Sequence, residues 1–383
     1  MQGAFAAQVS QCRKCIDVEE GDEKPPNRSV YQILADMGAD IVEINRVKRT
    51  YPMKISRHFL GLIKEKDDPI WRQCVPSAVE LQDFCNIPDP LHEERDTKVP
   101  GLVHRYPDRV LLLASSKCAM YCRFCTRKRK VGRTDQIPMT QIFQGIRYIR
   151  EHPEVRDVIL SGGDPLLRSD RELELILQEL RAIPHLEIIR IGTRVPSVLP
   201  QRITKRLVNI LKKYHPLYMN VHFEHPRELN PESERALAML ANAGIPLGSQ
   251  SVLLRGVNDD PAVMTELMQK LVKNRVKPYY LYYCDLVKGV EHFRTSTEKG
   301  FEIFKSIQGH TSGLCVPHLI IDSPGGGKVT VLPQDYLLGL SKEKTIISNY
   351  KGEIYEYPNP RRQEHEGGHS LQHPPRGLLA RNK

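Results

Sequence analysis

Seven short apolar runs, separated by stretches of helical spacing, constrain this chain more than any other feature in it. They are RVLLLAS (109–115), DVILSGG (157–163), EIIRIGT (187–193), YMNVHFE (218–224), GSQSVLL (248–254), PYYLYYCD (278–285) and PHLIIDS (317–323). Each has the length of a strand, several are rich in Val, Ile or Tyr, and most end on polar residues or glycine. Between them, Leu173, Ile176, Leu177 and Leu180 share one face of a helix that Asp170 can cap. Ile203, Leu207 and Ile210 mark another, and Phe301, Phe304 and Ile307 the last. Strands joined by helices of this length return parallel. At least six such units in a row predict an α/β fold, a full or partial TIM-type (β/α) barrel over residues 101–330. A doubly wound open sheet is the alternative.

Residues 1–100 read as a mostly helical, charged extension, and residues 331–383 as a C-terminal extension. The latter turns poor in apolar residues after about Gly352 and is expected to be mobile at its end. No apolar run approaches the roughly 20 residues that cross a bilayer. The first residues also lack the basic-then-apolar order of a secretory signal, so a cytoplasmic protein with no membrane partner is expected. The net charge of +10 raises the question of nucleic acid, but the basic residues are spread along the chain with acidic ones between them. No basic block alternates with aromatics, so a solvated basic surface or a preference for anionic cofactors is the expectation. The nine cysteines (12, 15, 74, 85, 118, 122, 125, 284 and 315) are odd in number and clustered. That suits a reducing compartment and a cofactor better than a disulfide framework.

Chemistry concentrates in SSKCAMYCRFCTRK, directly after the first barrel strand. Cys118, Cys122 and Cys125 are spaced three residues and then two apart. Three thiolates in one loop can hold three irons of a [4Fe–4S] cube and leave the fourth open to a chelating ligand. Zinc would want a fourth ligand, and neither His104 nor Cys284 stands at local metal-ligand spacing. A second feature is IIDSPGGGKVTV, in which three glycines let the backbone approach an anion and display Lys328, a candidate Schiff-base former. It lacks the ending and following helix of a P-loop, which disfavours nucleotide phosphate.

The cysteine loop, with Phe124 before its last thiol, resembles the signature of the radical S-adenosylmethionine superfamily. LSGGDP, with Gly162, Gly163 and Asp164, resembles that superfamily's motif for the methionyl amino group. HRYPDRVL (104–111), CRFCTRKR (122–129), SGGDPLL (161–167), QSVLLRGVND (250–259), YCDLVKGVEHFRT (283–295) and DSPGGGK (322–328) are together similar to the lysine 2,3-aminomutase family, from about Pro69 to Tyr357. The resemblance implies an isomerase that uses a [4Fe–4S] cluster, S-adenosyl-L-methionine and pyridoxal 5′-phosphate to move an α-amino group to the β-carbon of lysine. It implies that Lys328 holds the pyridoxal as an aldimine, and that Arg105, Tyr106 and Arg109 meet its phosphate. It further implies that Arg127 grips the substrate carboxylate, Asp285 and Asp322 receive the ε-ammonium, and His222 and Gln250 line the adenosyl pocket. A flavodoxin- or ferredoxin-type electron donor and a homo-oligomer are implied as well. The chain departs from clostridial-type members in having no cysteine after Cys315 and Asp260 after Asn258–Asp259, so no structural zinc is expected. Cys12 and Cys15 read as two exposed thiols. An aminomutase for arginine or glutamate, and a non-catalytic iron–sulfur protein, are the competing readings; Lys328 and the two aspartates disfavour the latter.

Overall fold

The structure, a computed structural model, describes residues 28–82, 87–132 and 135–359. Cys12, Cys15, Cys85 and the tail from residue 360 lie outside these. The seven apolar runs form β3 (Arg109–Ser115), β4 (Asp157–Gly162), β5 (Ile188–Thr193), β6 (Leu217–Val221), β7 (Leu247–Leu253), β8 (Val276–Tyr283) and β9 (His318–Ser323). Each pairs parallel with the next. The sheet order follows the chain without a switch point and its two ends do not pair, so this is an open, partial barrel and not a doubly wound sheet. Alternate residues of β3, β4 and β5 are fully buried against the outer helices, while those between face an interior cavity.

Three strands of this sheet were not predicted. β1 (Thr97–Val99) and β2 (Leu102–Tyr106) add antiparallel strands before β3, and β10 (Gly327–Thr330) adds one after β9. Lys328 therefore stands on a strand, opposite Asp322 in register, with the glycines forming the hairpin turn before it. Gly325 and Gly327, at φ of 68° and 87°, supply the left-handed backbone the turn needs. A separate antiparallel sheet follows, of β11 (Leu337–Leu340), β12 (Lys344–Ser348) and β13 (Ile354–Pro358). The last of these lies just beyond Gly352, and the end of the tail falls outside the described residues. A correction concerns the helix Asp170–Arg181: Ser169, not Asp170, caps it, in a reciprocal capping box with Glu172.

The N-terminal extension is helical where described (Val30–Asp36, Ile41–Lys48, Arg57–Leu60, Pro69–Cys74) and forms its own core around Leu34, Phe59, Ile70 and Trp71. Ala119 and Met120, between the first two loop cysteines, complete that core. The extension also holds the loop's backbone, since Tyr121 N donates to Lys54 O and Arg123 N to Gln73 O, each at 2.9 Å. Among the described residues no helix is long and apolar enough to cross a membrane.

Candidate active site

One cavity of about 480 Å³ runs through the open barrel. Cys118, Cys122 and Cys125 line its upper end, after the C-terminal end of β3. Arg109 and Asp157, the first residues of β3 and β4, line its floor. The seven residues of β3 set these ends roughly 20 Å apart. The cavity also gathers Arg105, Tyr106, Arg127, Gly162, Gly163, Asp164, His222, Gln250, Asp285, Asp322 and Lys328, the remaining residues to which the resemblance gives a role.

Close backbone contact forms the upper end. Gly163 N donates to Ser115 O at 2.6 Å and Asp164 N to Lys117 O at 2.7 Å, tying the end of β4 to the start of the cysteine loop. A Cβ on Gly162 would lie 2.1 Å from Ser115 O, and one on Gly163 2.4 Å from Lys117 O. Glycine is required at both by this approach, independently of any ligand. The Asp164 carboxylate is taken up locally, by Thr193 Oγ1 (2.8 Å), Arg194 N (2.8 Å) and Leu166 N (3.1 Å). It braces the ends of β4 and β5, and burial raises its pKa.

Several residues here were invisible to sequence reasoning. Arg194, buried between the rings of Phe59 and Phe124, donates from Nη1 to Cys122 Sγ at 2.9 Å and is held by Gln73 and Glu228. Its place just past the end of β5 was the one available signal. Glu80, from the charged extension, lies buried under the loop, where it accepts from Arg123 Nε (3.0 Å) and Lys128 Nζ (2.6 Å). Burial works to raise the Glu80 pKa, but Arg123 and Lys128 win and lower it; burial brings Lys128 down to about 8. Glu93 takes the Nε–Nη2 edge of Arg127 (3.0 and 2.6 Å), leaving Nη1 toward Ser161 Oγ and Gly162 O at 3.4 Å. Arg127 therefore offers a ligand one edge of its guanidinium and not its full fork.

Asp322 Oδ2 is 3.4 Å from Lys328 Nζ, and its Oδ1 is 4.0 Å from Arg105 Nη1. Tyr106 accepts from Lys328 N at 3.1 Å and lies under the Arg109 guanidinium, 4.0 Å from ring centroid to Cζ. Asp285 is partly buried, and that burial, with Asp322 adding to it, pushes its carboxyl up to about 7. Gln250 Nε2 reaches Tyr282 Oη at 3.5 Å, and His222 Nδ1 is 3.7 Å from the buried Glu224.

The donor set fits the cofactors that the sequence implies. Three free thiols, none in a disulfide, face one cavity. Lower in the same cavity are a lysine, arginines on three strands, and a guanidinium N–H (Arg190 Nη2) that is buried without an acceptor, a set suited to an anionic aldehyde.

A parallel βα sheet with this loop at its strand ends defines a radical S-adenosylmethionine enzyme, and the family model "Radical SAM superfamily" matches residues 112–268. A second model, "Lysine-2,3-aminomutase", matches residues 304–373. The chain is 55% identical over 312 residues to the L-lysine 2,3-aminomutase of Clostridium subterminale, covering 80% of this chain and 75% of that one. It is 52% identical over 326 residues to the enzyme of the same name from Fusobacterium nucleatum (84% and 76%). It is also 44% identical over 359 residues to the glutamate 2,3-aminomutase of Clostridioides difficile (89% and 85%). Among solved structures, Streptococcus suis SuiB bound to S-adenosylmethionine is similar over 57% of this chain and 51% of that one, at 14% identity and a TM-score of 0.44. The chain belongs to the lysine 2,3-aminomutase family. It is accordingly an isomerase that depends on a [4Fe–4S] cluster, S-adenosylmethionine and pyridoxal 5′-phosphate.

Proposed function

We propose that this protein interconverts L-lysine and L-β-lysine by radical 1,2-amino migration. The observation that carries the choice of substrate is the acid pair Asp285 and Asp322 in one cavity with Arg127. Two carboxylates suit a cationic tail, and an arginine edge suits an anionic head. When bound, the cluster and S-adenosylmethionine supply a primary carbon radical, and pyridoxal phosphate supplies a π-system for the migrating nitrogen.

The residues of the chain place and shield that chemistry. Cys118, Cys122 and Cys125 would hold three irons, and Arg194 fixes the Cys122 sulfur. Gly162 and Gly163 bring the β4 backbone to the open iron's ligand; Asp164 braces them, and His222 and Gln250 border the adenosyl space. Lys328 would hold the pyridoxal through its neutral amine, and Asp322, 3.4 Å away, is placed to accept the ammonium proton. Arg105, Tyr106 and Arg109 hold the phosphate. Leu91 and Glu93 lie along the cavity from the segment that leads out of the N-terminal extension, and help keep water from the radical.

A flavodoxin- or ferredoxin-type protein as electron donor, and self-association, complete the proposal. The exposed apolar side chains of Leu337, Leu340, Ile354 and Tyr357 on the C-terminal sheet support the latter. The test is anaerobic turnover of lysine, arginine and glutamate at equal concentration by the reconstituted enzyme. Lysine should be fastest; faster turnover of either rival would defeat this reading of the acid pair.

A further inference from the structure

Arg190, the third residue of β5, lines the cavity. Its Nε donates to Asp157 Oδ1 at 2.8 Å, which orients the guanidinium across the floor. Its Nη2 is buried and has no acceptor among the described residues. A buried N–H on a charged group is costly to leave unmade, and such groups persist where a ligand supplies the acceptor. Tyr280, from β8 on the far side, lies within electrostatic reach of both Arg109 and Arg190. Tyr279 donates its hydroxyl to Tyr280 Oη at 2.7 Å, so the Tyr280 proton is left to donate elsewhere. Two guanidiniums thus meet at the floor with one inward carboxylate, Asp157. The remaining acid near them, Asp108, is half exposed and 3.9 Å from Arg109.

The distance of this floor from Lys328 can be followed along two routes. Lys328 Nζ is 5.7 Å from the ring centroid of Tyr282, whose ring lies 5.4 Å from that of Tyr280. Lys328 Nζ is also 6.0 Å from the ring of Tyr106, over which Arg109 sits at 4.0 Å. By either path the floor lies one aromatic ring beyond the lysine, the span of a substituted pyridine.

We propose that Arg190, assisted by Tyr280, is a phosphate ligand: the pyridoxal phosphate dianion rests between Arg109 and Arg190, with Nη2 of Arg190 and Oη of Tyr280 donating to its oxygens. This rests on the reading of Lys328 as the pyridoxal lysine. Guanidinium is suited to the task because it stays charged and offers several donors in one plane, Nε here spent on Asp157 and Nη2 left for a ligand.

The experiment compares pyridoxal phosphate with pyridoxal, which carries the same aldehyde and no phosphate. The full chain, with its cluster reconstituted and its pyridoxal removed, is titrated with each, and the Schiff-base absorbance is followed. Arg190→Gln should weaken pyridoxal phosphate at least tenfold, about 1.4 kcal/mol, and pyridoxal less than about twofold, with iron content unchanged. Arg190→Lys should recover part of the loss as a point charge, and Tyr280→Phe should give a smaller loss, also confined to the phosphorylated form. Equal weakening of both aldehydes would make Arg190 a structural residue and overturn the proposal, as would an unchanged preference for the phosphorylated one. Lys328→Ala reports separately on the underlying reading. A band that survives in that variant refutes Lys328 as the pyridoxal lysine, while the comparison of the two aldehydes still decides the role of Arg190.

Discussion

Raising the pH from about 6 to about 8 should tighten lysine binding roughly tenfold, with Asp285 as the cause. Its carboxyl is pushed up to about 7, first by burial and then by the neighbouring Asp322, with Lys328 opposing. Its ionised fraction therefore rises from about 0.1 to about 0.9 across that range. The lysine ε-ammonium, with an ordinary pKa of about 10.4, stays charged throughout, so the slope belongs to the protein. Pairing with the ammonium draws the Asp285 pKa down again, and binding at about pH 7 should expel about half a proton. The folded-state value lies above the unfolded one, so the same group makes the ligand-free fold less stable as pH rises from about 4 to about 7. Calorimetry without reductant, in two buffers of different ionisation heat, reads both affinity and proton release. Asp285→Asn should abolish the proton release and flatten the profile. It should also lower turnover of lysine about a hundredfold or more, since breaking a buried charge pair costs roughly 3–5 kcal/mol. Equal affinity at the two pH values, or a slope that survives in Asp285→Asn and so comes from the α-amino group, would refute this account.

Borohydride reduction and peptide mapping should place the pyridoxyl group on Lys328; finding it on Lys342 or Lys344 would contradict the assignment. Gly163→Ala forces a Cβ to within 2.4 Å of Lys117 O. Iron per chain after reconstitution should fall well below the roughly four atoms expected for one cluster, while far-ultraviolet dichroism stays near that of the unmodified protein. Glu80→Gln leaves Arg123 and Lys128 buried without their carboxylate, and denaturant titration should show a loss of roughly 3–5 kcal/mol. A loss under about 1 kcal/mol would mean that Lys128, already drawn down to about 8, simply sheds its proton.

The barrel was legible because its strands are nearly continuous apolar runs, and a burial pattern of that kind survives in one dimension. β3 was read to the residue, and the other six strands to within a few residues at either end. β1 and β10 escaped because three- and four-residue edge strands carry too little pattern, and GGGK reads as a loop whether or not a strand follows it. The candidate site was legible where chemistry forces residue type: thiols at fixed spacing, a lysine after glycines, acids at strand ends. Its supporting charges were not. Glu80 and Glu93 look like any acids of a solvated helical segment, and only the docking of that segment buries them at Arg123 and Arg127. Arg190 alternates inward on a strand of apolar neighbours, and nothing in the sequence tells an arginine facing a cavity from one facing solvent.

The backbone contact between β4 and the cysteine loop bears on how such a centre could be moved to another protein. The three thiols occupy eight consecutive residues, which invites grafting that peptide alone onto a new scaffold. Yet the carbonyls that lead into it, at Ser115 and Lys117, are spoken for by the amides of Gly163 and Asp164, from a strand more than 40 residues further along. A recipient whose neighbouring strand ended in any residue with a side chain would press that side chain into the loop and splay the thiols. The unit that can be transplanted is the pair of adjacent strand ends. The two motifs, far apart in the sequence, are one object that mutation can alter only in concert.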